Sequence, residues 1–229
     1  MTDRGAVLIT GCSTGIGRAV VEDLLRQGHT VWATARRLDT VTDLADRGAH
    51  VTALDVTDEA SMSVAVAEVE AAHGSVGTLV NNAGFGEYGA VEEVDMDKVR
   101  AMFETNVFGL ARMCQLVLPG MRRAGKGRII NIGSMGGRFT FPMGGYYHAT
   151  KYAVEALTDA LRMEVKSFGV DVALVEPGVT RSSFVPRFKL FRTSNRNDRC
   201  MFCVFPISEP FSSIVATVSR PSKHRSIRS

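Results

Sequence analysis

The stretch AVLITGCSTGIGRAV, Ala6 to Val20, decides how the rest of the chain is read. A short apolar run, Val7 to Thr10, leads directly into TGCSTGIG, Thr10 to Gly17, and the residues from Ile16 to Gln27 then recur with helical periodicity. Strand, glycine turn, helix is the order that matters. Glycines permit the tight turn and let the backbone approach a pyrophosphate, whose charge is favoured by the free N–H groups and dipole at a helix N-terminus. As a string alone, the turn is also compatible with an ordinary strand-to-helix connection, so its neighbours have to agree.

Working outward, short β-rich apolar runs bounded by turn residues recur at Thr30 to Thr34, Val51 to Leu54, Thr78 to Asn81, Arg128 to Ile132 and Val170 to Val175. Between them the periodicity is helical, at Asp58 to Ala72, Met96 to Met121 and Tyr147 to Phe168. This alternation predicts an α/β fold, a doubly wound parallel sheet of the Rossmann type in a single domain. Right-handed crossovers then align the C-terminal strand ends along one edge, where ligands bind in such sheets.

Composition agrees with one large domain: 229 residues, 45% hydrophobic and 22% charged. No apolar run reaches the length of about eighteen residues that a membrane span needs, and the N-terminus, with Asp3 and a short apolar run, is expected to be neither a secretory signal nor a transit peptide. A cytoplasmic location is the resulting expectation. Cys12, Cys114, Cys200 and Cys203 form no disulfide or zinc framework by spacing, so no metal is expected.

The second strand runs into ATARR, Ala33 to Arg37. In dinucleotide-binding folds an acid at this strand end receives the ribose 2′-OH, whereas an arginine accommodates a 2′-phosphate. Here two arginines and no acid are present. A guanidinium fork matches phosphate oxygens bidentately, so Arg36 is expected as the principal 2′-phosphate contact, with Arg37 assisting and NADP(H) as cofactor.

Further on, GYYHATKYAV, Gly145 to Val154, sets two tyrosines before a lysine. Residues four apart share a helix face, so Tyr147 pairs with Lys151 and Tyr146 with Thr150. A nearby ammonium favours phenolate and lowers a phenol pKa toward the range useful for general acid/base work. Tyr147 is therefore the expected active tyrosine, and Tyr146 a packing or substrate-edge residue.

TGCSTGIG, then NNAG from Asn81 to Gly84, Asn106, Ser134 after the strand RIINI, YHATK from Tyr147 to Lys151, and Pro177 with Gly178 stand in one order and spacing. Over about residues 3 to 182 this resembles the short-chain dehydrogenase/reductase family, and GSMGG, Gly133 to Gly137, resembles its branch of steroid, retinol and carbonyl reductases. The resemblance implies an NADP(H)-dependent oxidoreductase interconverting a ketone or aldehyde and an alcohol. It implies Tyr147 as proton donor or acceptor and Ser134 bonding the reacting oxygen. Lys151 would lower the tyrosine pKa and hold the nicotinamide ribose, with Asn106 supporting a water relay. For the cofactor it implies Gly11, Ser13, Thr14, Gly15, Ile16 and Gly17 in the turn, Arg36 and Arg37, Asp55 and Val56 at the adenine, and Asn82, Ala83 and Gly84 by the ribose. Tyr147, Lys151, Pro177, Gly178 and Val179 would serve the nicotinamide end, with Ser182 standing where the family usually has threonine. Asn81 and Asn131, near strand ends, read as structural hydrogen-bonders. A small-molecule carbonyl or alcohol is the implied partner, with no nucleic acid, and a dimer or tetramer is expected of the family.

After Ser182 to Phe184 the pattern stops. Residues 1 to 180 hold 17 Lys+Arg against 22 Asp+Glu, a balance of −5, while residues 181 to 229 hold 10 against 2, a balance of +8. All 22 glycines lie at or before Gly178. The chain therefore divides into residues 1–182, the dinucleotide-binding and catalytic domain, and 183–229, a basic tail rich in Ser, Arg and Phe. The tail stands in place of the family's substrate loop, C-terminal helix and last strand. A changed reading frame, a divergent C-terminus that covers the pocket, and a basic arm for an anionic partner all stay open. With them stand two alternatives to the leading activity: an impaired cofactor-binding protein or product of a broken gene, and a 3-oxoacyl carrier-protein reductase.

Overall fold

The computed structural model describes residues 5–178. The strands are β1 (Ala6–Ile9), β2 (Val31–Ala35), β3 (His50–Ala53), β4 (Val76–Asn81), β5 (Gly127–Ile132) and β6 (Val170–Val175). The helices are α1 (Gly15–Arg26), α2 (Thr42–Ala45), α3 (Glu59–His73), α4 (Met96–Phe103), α5 (Leu110–Ala124) and α6 (Gly145–Val165). All strand pairings are parallel, in the order β3-β2-β1-β4-β5-β6. The chain reverses direction across the sheet between β1 and β4, and at such a switch point the loops leaving neighbouring strands part to form a ligand crevice.

The strand sequences explain why both faces are covered. In β1, Ala6 and Leu8 point into one apolar cluster with Leu79, Met113, Val117 and Ile129. Val7 and Ile9 point into the other, with Val21, Val31, Leu44 and Val80. Side chains alternate across a strand, so a strand apolar at every position needs a layer of helices on each side. Burying these side chains, each contributing roughly 1.5–3 kcal/mol, is the main term holding the sheet and helices together.

The ends of the helices follow local chemistry. Asp58 caps α3 by accepting from the amides of Ala60 and Ser61, and Asp95 caps α4 through Asp97 N–H. Gly125 ends α5 in the left-handed conformation at φ 63°. The expected long helix from Met96 is found, but it is interrupted by a π-helical segment over Glu104–Gly109. Hydrophobic period does not reveal such an insertion, which appears often at functional sites. The short helix α2 likewise has no signature in the sequence, because four residues carry no resolvable period. The tail at 183–229, and with it the expectation of a missing or altered final helix and strand, lies outside the described residues.

Candidate active site

The site is built at the C-terminal ends of the strands. The turn after β1 is held by side chains from β4: Asn82 Nδ2 donates to the carbonyls of Thr10 and Gly11, both at 2.9 Å. In return Thr10 Oγ1 accepts from the amides of Asn82 at 3.0 Å and Ala83 at 2.9 Å. Gly11 sits at φ +72°, where an added Cβ would come within 2.8 Å of Ala83 Cα. A Cβ on Gly17 would meet Asn82 Nδ2 and the Gly11 carbonyl. The glycines are thus demanded by main-chain proximity, and they leave the N-terminus of α1 opening onto the crevice. Thr14 is the N-cap of α1, but its side chain does not cap the helix. Such a cradle, with a helix dipole behind it, fits a pyrophosphate. Asn82 and Ala83 therefore act first by fixing the turn.

Arg36 and Arg37 are both exposed at the end of β2, but they are not equivalent. Arg37 forks onto Asp39, with Nη2 to Oδ2 at 2.7 Å and Nε to Oδ1 at 3.2 Å. Arg36 makes no ion pair among the described residues, so the fork left for a phosphate is that of Arg36. Asp55 turns its carboxylate on its own loop, accepting from Thr57 N–H at 2.9 Å and Thr57 Oγ1 at 2.8 Å, while Val56 is buried.

At the end of β5, Ser134 Oγ accepts from Gly136 N–H at 3.0 Å and hydrogen-bonds Tyr147. The loop that bears Ser134 is strapped to the end of β6 by Gly133 N–H to Val175 O at 2.8 Å and Met135 N–H to Pro177 O at 3.1 Å. Pro177 and Gly178 are therefore brought beside Ser134, as the motif spacing requires. One turn on from Tyr147, Lys151 is buried and donates from Nζ to Ile132 O at 2.9 Å, with Nζ lying 5.9 Å from the Tyr147 ring centre. Asn106 reaches the same corner from the π segment. Its Nδ2 donates to Phe85 O at 2.8 Å and Thr150 Oγ1 at 3.2 Å, and its Oδ1 accepts from Phe85 N–H at 3.0 Å.

The electrostatics of this corner are set first by burial. Burial pushes the Tyr147 phenol up, and the hydrogen bond from Ser134 opposes that without reversing it. The ammonium of Lys151 is likewise destabilised by burial, with a pKa lowered to about 8, partly offset by Glu155. Both groups are removed from water, and removal from water disfavours whichever form carries the charge. Glu155, one turn further along α6, is pushed up to about 7 by burial and by Glu176, with Arg138 opposing.

The remaining expectations resolve individually. Tyr146 donates to Val91 O at 3.0 Å and lines an apolar depression with Val99, Phe103 and Phe108, away from Tyr147. Asn81 and Asn131 are structural, linked at 3.0 Å, and Asn131 reaches Thr158 at 2.9 Å. Val179 and Ser182 lie outside the described residues. Cys12 and Cys114 are buried free thiols, and no metal-ligating cluster occurs among the described residues. Sequence reasoning missed Thr10 and Thr150, whose hydroxyls brace Asn82 and Asn106, because a buried threonine in a strand or helix has no pattern of its own.

The model of the family described as short chain dehydrogenase matches residues 5–190. The chain belongs to this family. Among curated short-chain dehydrogenase relatives, it is 37% identical over 192 residues to a 3-ketodihydrosphingosine reductase from Bacteroides thetaiotaomicron, covering 84% of this chain and 70% of that one. It spans 65% of the next two relatives, so it corresponds to about two-thirds of their length. A solved short-chain dehydrogenase from Streptomyces avermitilis is 43% identical with a TM-score of 0.75, covering 77% of this chain and 67% of that one. A gluconate 5-dehydrogenase from Burkholderia cenocepacia, solved with NADP and tartrate, is 30% identical with a TM-score of 0.72, covering 76% of this chain and 71% of that one. Among the described residues no helix is long and apolar enough to cross a membrane.

Proposed function

We propose that the protein is an NADP(H)-dependent oxidoreductase interconverting an apolar ketone or aldehyde and its alcohol. The observation carrying this reading is Tyr147, buried, hydrogen-bonded to Ser134 and one helical turn from a buried Lys151. The glycine turn and the N-terminus of α1 would hold the pyrophosphate, Arg36 the 2′-phosphate, and Lys151 with Pro177 and Gly178 the nicotinamide end. Bound there, the cofactor supplies or accepts the hydride.

The chain supplies the proton. In reduction Tyr147 Oη gives its proton to the carbonyl oxygen while the Ser134 hydroxyl donates to the same oxygen. Replenishing Tyr147 falls to the Lys151 ammonium and to the polar corner that Asn106 and Thr150 organise. A phenol ordinarily holds its proton at neutral pH, and burial pushes Tyr147 further in that direction, which favours reduction there. Alcohol oxidation needs the phenolate and gains from alkaline pH.

The rim around Tyr147 argues for an uncharged, apolar substrate. Tyr88 lies 5.3 Å from the Tyr147 ring and 6.4 Å from Phe141, and Phe139 lies 6.3 Å from Phe141. Arg138, next in sequence to Phe139, is engaged by Glu155 at 3.0 Å and Glu176 at 2.7 Å, so it does not offer its charge to a carboxylate. Tyr147→Phe should cut turnover by about 10²–10⁴-fold while NADPH affinity stays within about twofold. Undiminished turnover in that variant, or faster reduction of a 2-oxo acid than of a matched neutral ketone, would sink the reading.

A further inference from the structure

His148 follows the active tyrosine, and nothing above gives it a task. Its side chain is fully buried. Nδ1 lies 2.7 Å from the carbonyl oxygen of Gly136. A carbonyl only accepts, so Nδ1 carries the proton and Nε2 is left with a lone pair. That Nε2 has no hydrogen-bond partner among the described residues, and the ring packs edge-on against Phe141 at 4.3 Å. A buried imidazole with one nitrogen unsatisfied is costly, which makes its one strong contact informative.

That contact leads to Ser134. The Gly136 residue fixed through its carbonyl by His148 is the one whose amide donates to Ser134 Oγ at 3.0 Å. A serine hydroxyl has one proton and two acceptor lone pairs. With one lone pair claimed by Gly136, the hydroxyl keeps its proton and its second lone pair for partners off the loop, and Tyr147 is hydrogen-bonded with Ser134 there. We propose that His148 is a positioning residue, holding Gly136 so that Gly136 sets the rotamer of Ser134 and aims its proton at the oxygen of Tyr147 or of the substrate. The proposal rests on the function above for its kinetic consequence, but its geometric content is independent of catalysis.

Two substitutions test it. His148→Leu keeps an apolar side chain of similar bulk and removes the donor, whereas His148→Asn retains an N–H close to the place of Nδ1. His148→Leu should lower kcat by about ten- to a hundredfold, with KM for the carbonyl changed less than kcat and the NADPH dissociation constant unchanged. His148→Asn should restore most of kcat. Equal rates in Leu and wild type, no recovery in Asn, or loss of NADPH binding in proportion to kcat would each overturn the proposal.

A readout without turnover separates this inference from the functional reading. Tyrosinate absorbance of each protein, minus that of the same protein carrying Tyr147→Phe, reports ionisation of this phenol, which faces Ser134, Tyr88 and Lys151. In His148→Leu the phenol should ionise at higher pH than in wild type, and in His148→Asn near the wild-type value. An unshifted titration overturns the positioning role even in an active enzyme. A shifted titration in a protein that reduces no carbonyl supports the positioning role and fails the function.

Discussion

The glycine cradle at β1 and the candidate catalytic corner at β5 and α6 lie on the same sheet edge and are built on opposite principles. The cradle consists of main-chain groups, braced by Thr10 and Asn82 and shaped by the absence of side chains at Gly11 and Gly17. The corner consists of buried titratable groups, Tyr147, Lys151 and Glu155, whose charged forms are disfavoured by the burial that positions them. The cradle should therefore fail through steric intrusion and be nearly indifferent to pH. The corner should tolerate shape changes better than charge changes.

The largest effect that sharpens this contrast is expected of Gly17→Ala. The new Cβ collides with the Gly11 carbonyl oxygen, a main-chain atom that no rotamer change can move aside, so the turn must move. NADPH affinity should fall by about a hundredfold or more, in line with about 3 kcal/mol of misfit. Isothermal titration showing native affinity would mean that the turn has room the geometry denies. Next, Arg36→Ala should weaken NADPH about tenfold or more and leave NADH nearly unchanged, because a lost bidentate phosphate contact matters only where the 2′-phosphate exists. Arg37→Ala should do much less, since Arg37 is committed to Asp39. A larger loss at Arg37 would reverse the assignment.

A last effect is in stability against pH. Lys151, ordinarily at 10.5, titrates near 8 in the folded chain. Below about 8 it is charged in both states and its burial penalty is full, and the penalty is relieved as pH rises from about 8 to 10.5. Glu155 behaves oppositely. Ordinarily at 4.5 and pushed to about 7, it costs nothing below 4.5, and stability is lost as pH rises through that window. Glu155→Gln should flatten the denaturation midpoint between pH 4.5 and about 7, by roughly 1–3 kcal/mol at its largest. An unchanged slope would show that Arg138 and Glu176 already compensate the carboxylate in full.

How far the sequence could be read differs between the same two regions. In the cradle, Gly11 and Gly17 announce themselves because a glycine turn between a strand and a helix has few other uses, and Arg36 because the acid is missing beside it. In the corner, spacing was enough to choose Tyr147 over Tyr146, since helix faces repeat at known intervals. The direction of the Tyr147 shift was not legible. It depends on how much water is removed from the phenol relative to what Ser134 returns, and these depend on packing by Tyr88 and on how the Ser134 loop is tied to the β6 end.

The sequence by itself determined the parallel doubly wound sheet, the place of the glycine turn and the register of Tyr147, Lys151, Ser134 and Asn106. These follow from short-range periodicity and backbone geometry, which neighbouring residues encode together. Only the tertiary structure decided that Arg37 is occupied by Asp39, that Asn82 serves the turn, that the π segment delivers Asn106 to Thr150, and that His148 reaches Gly136. Each joins atoms through a hydrogen bond or an insertion that leaves no period in the chain, and each exists only once burial has removed the competing water.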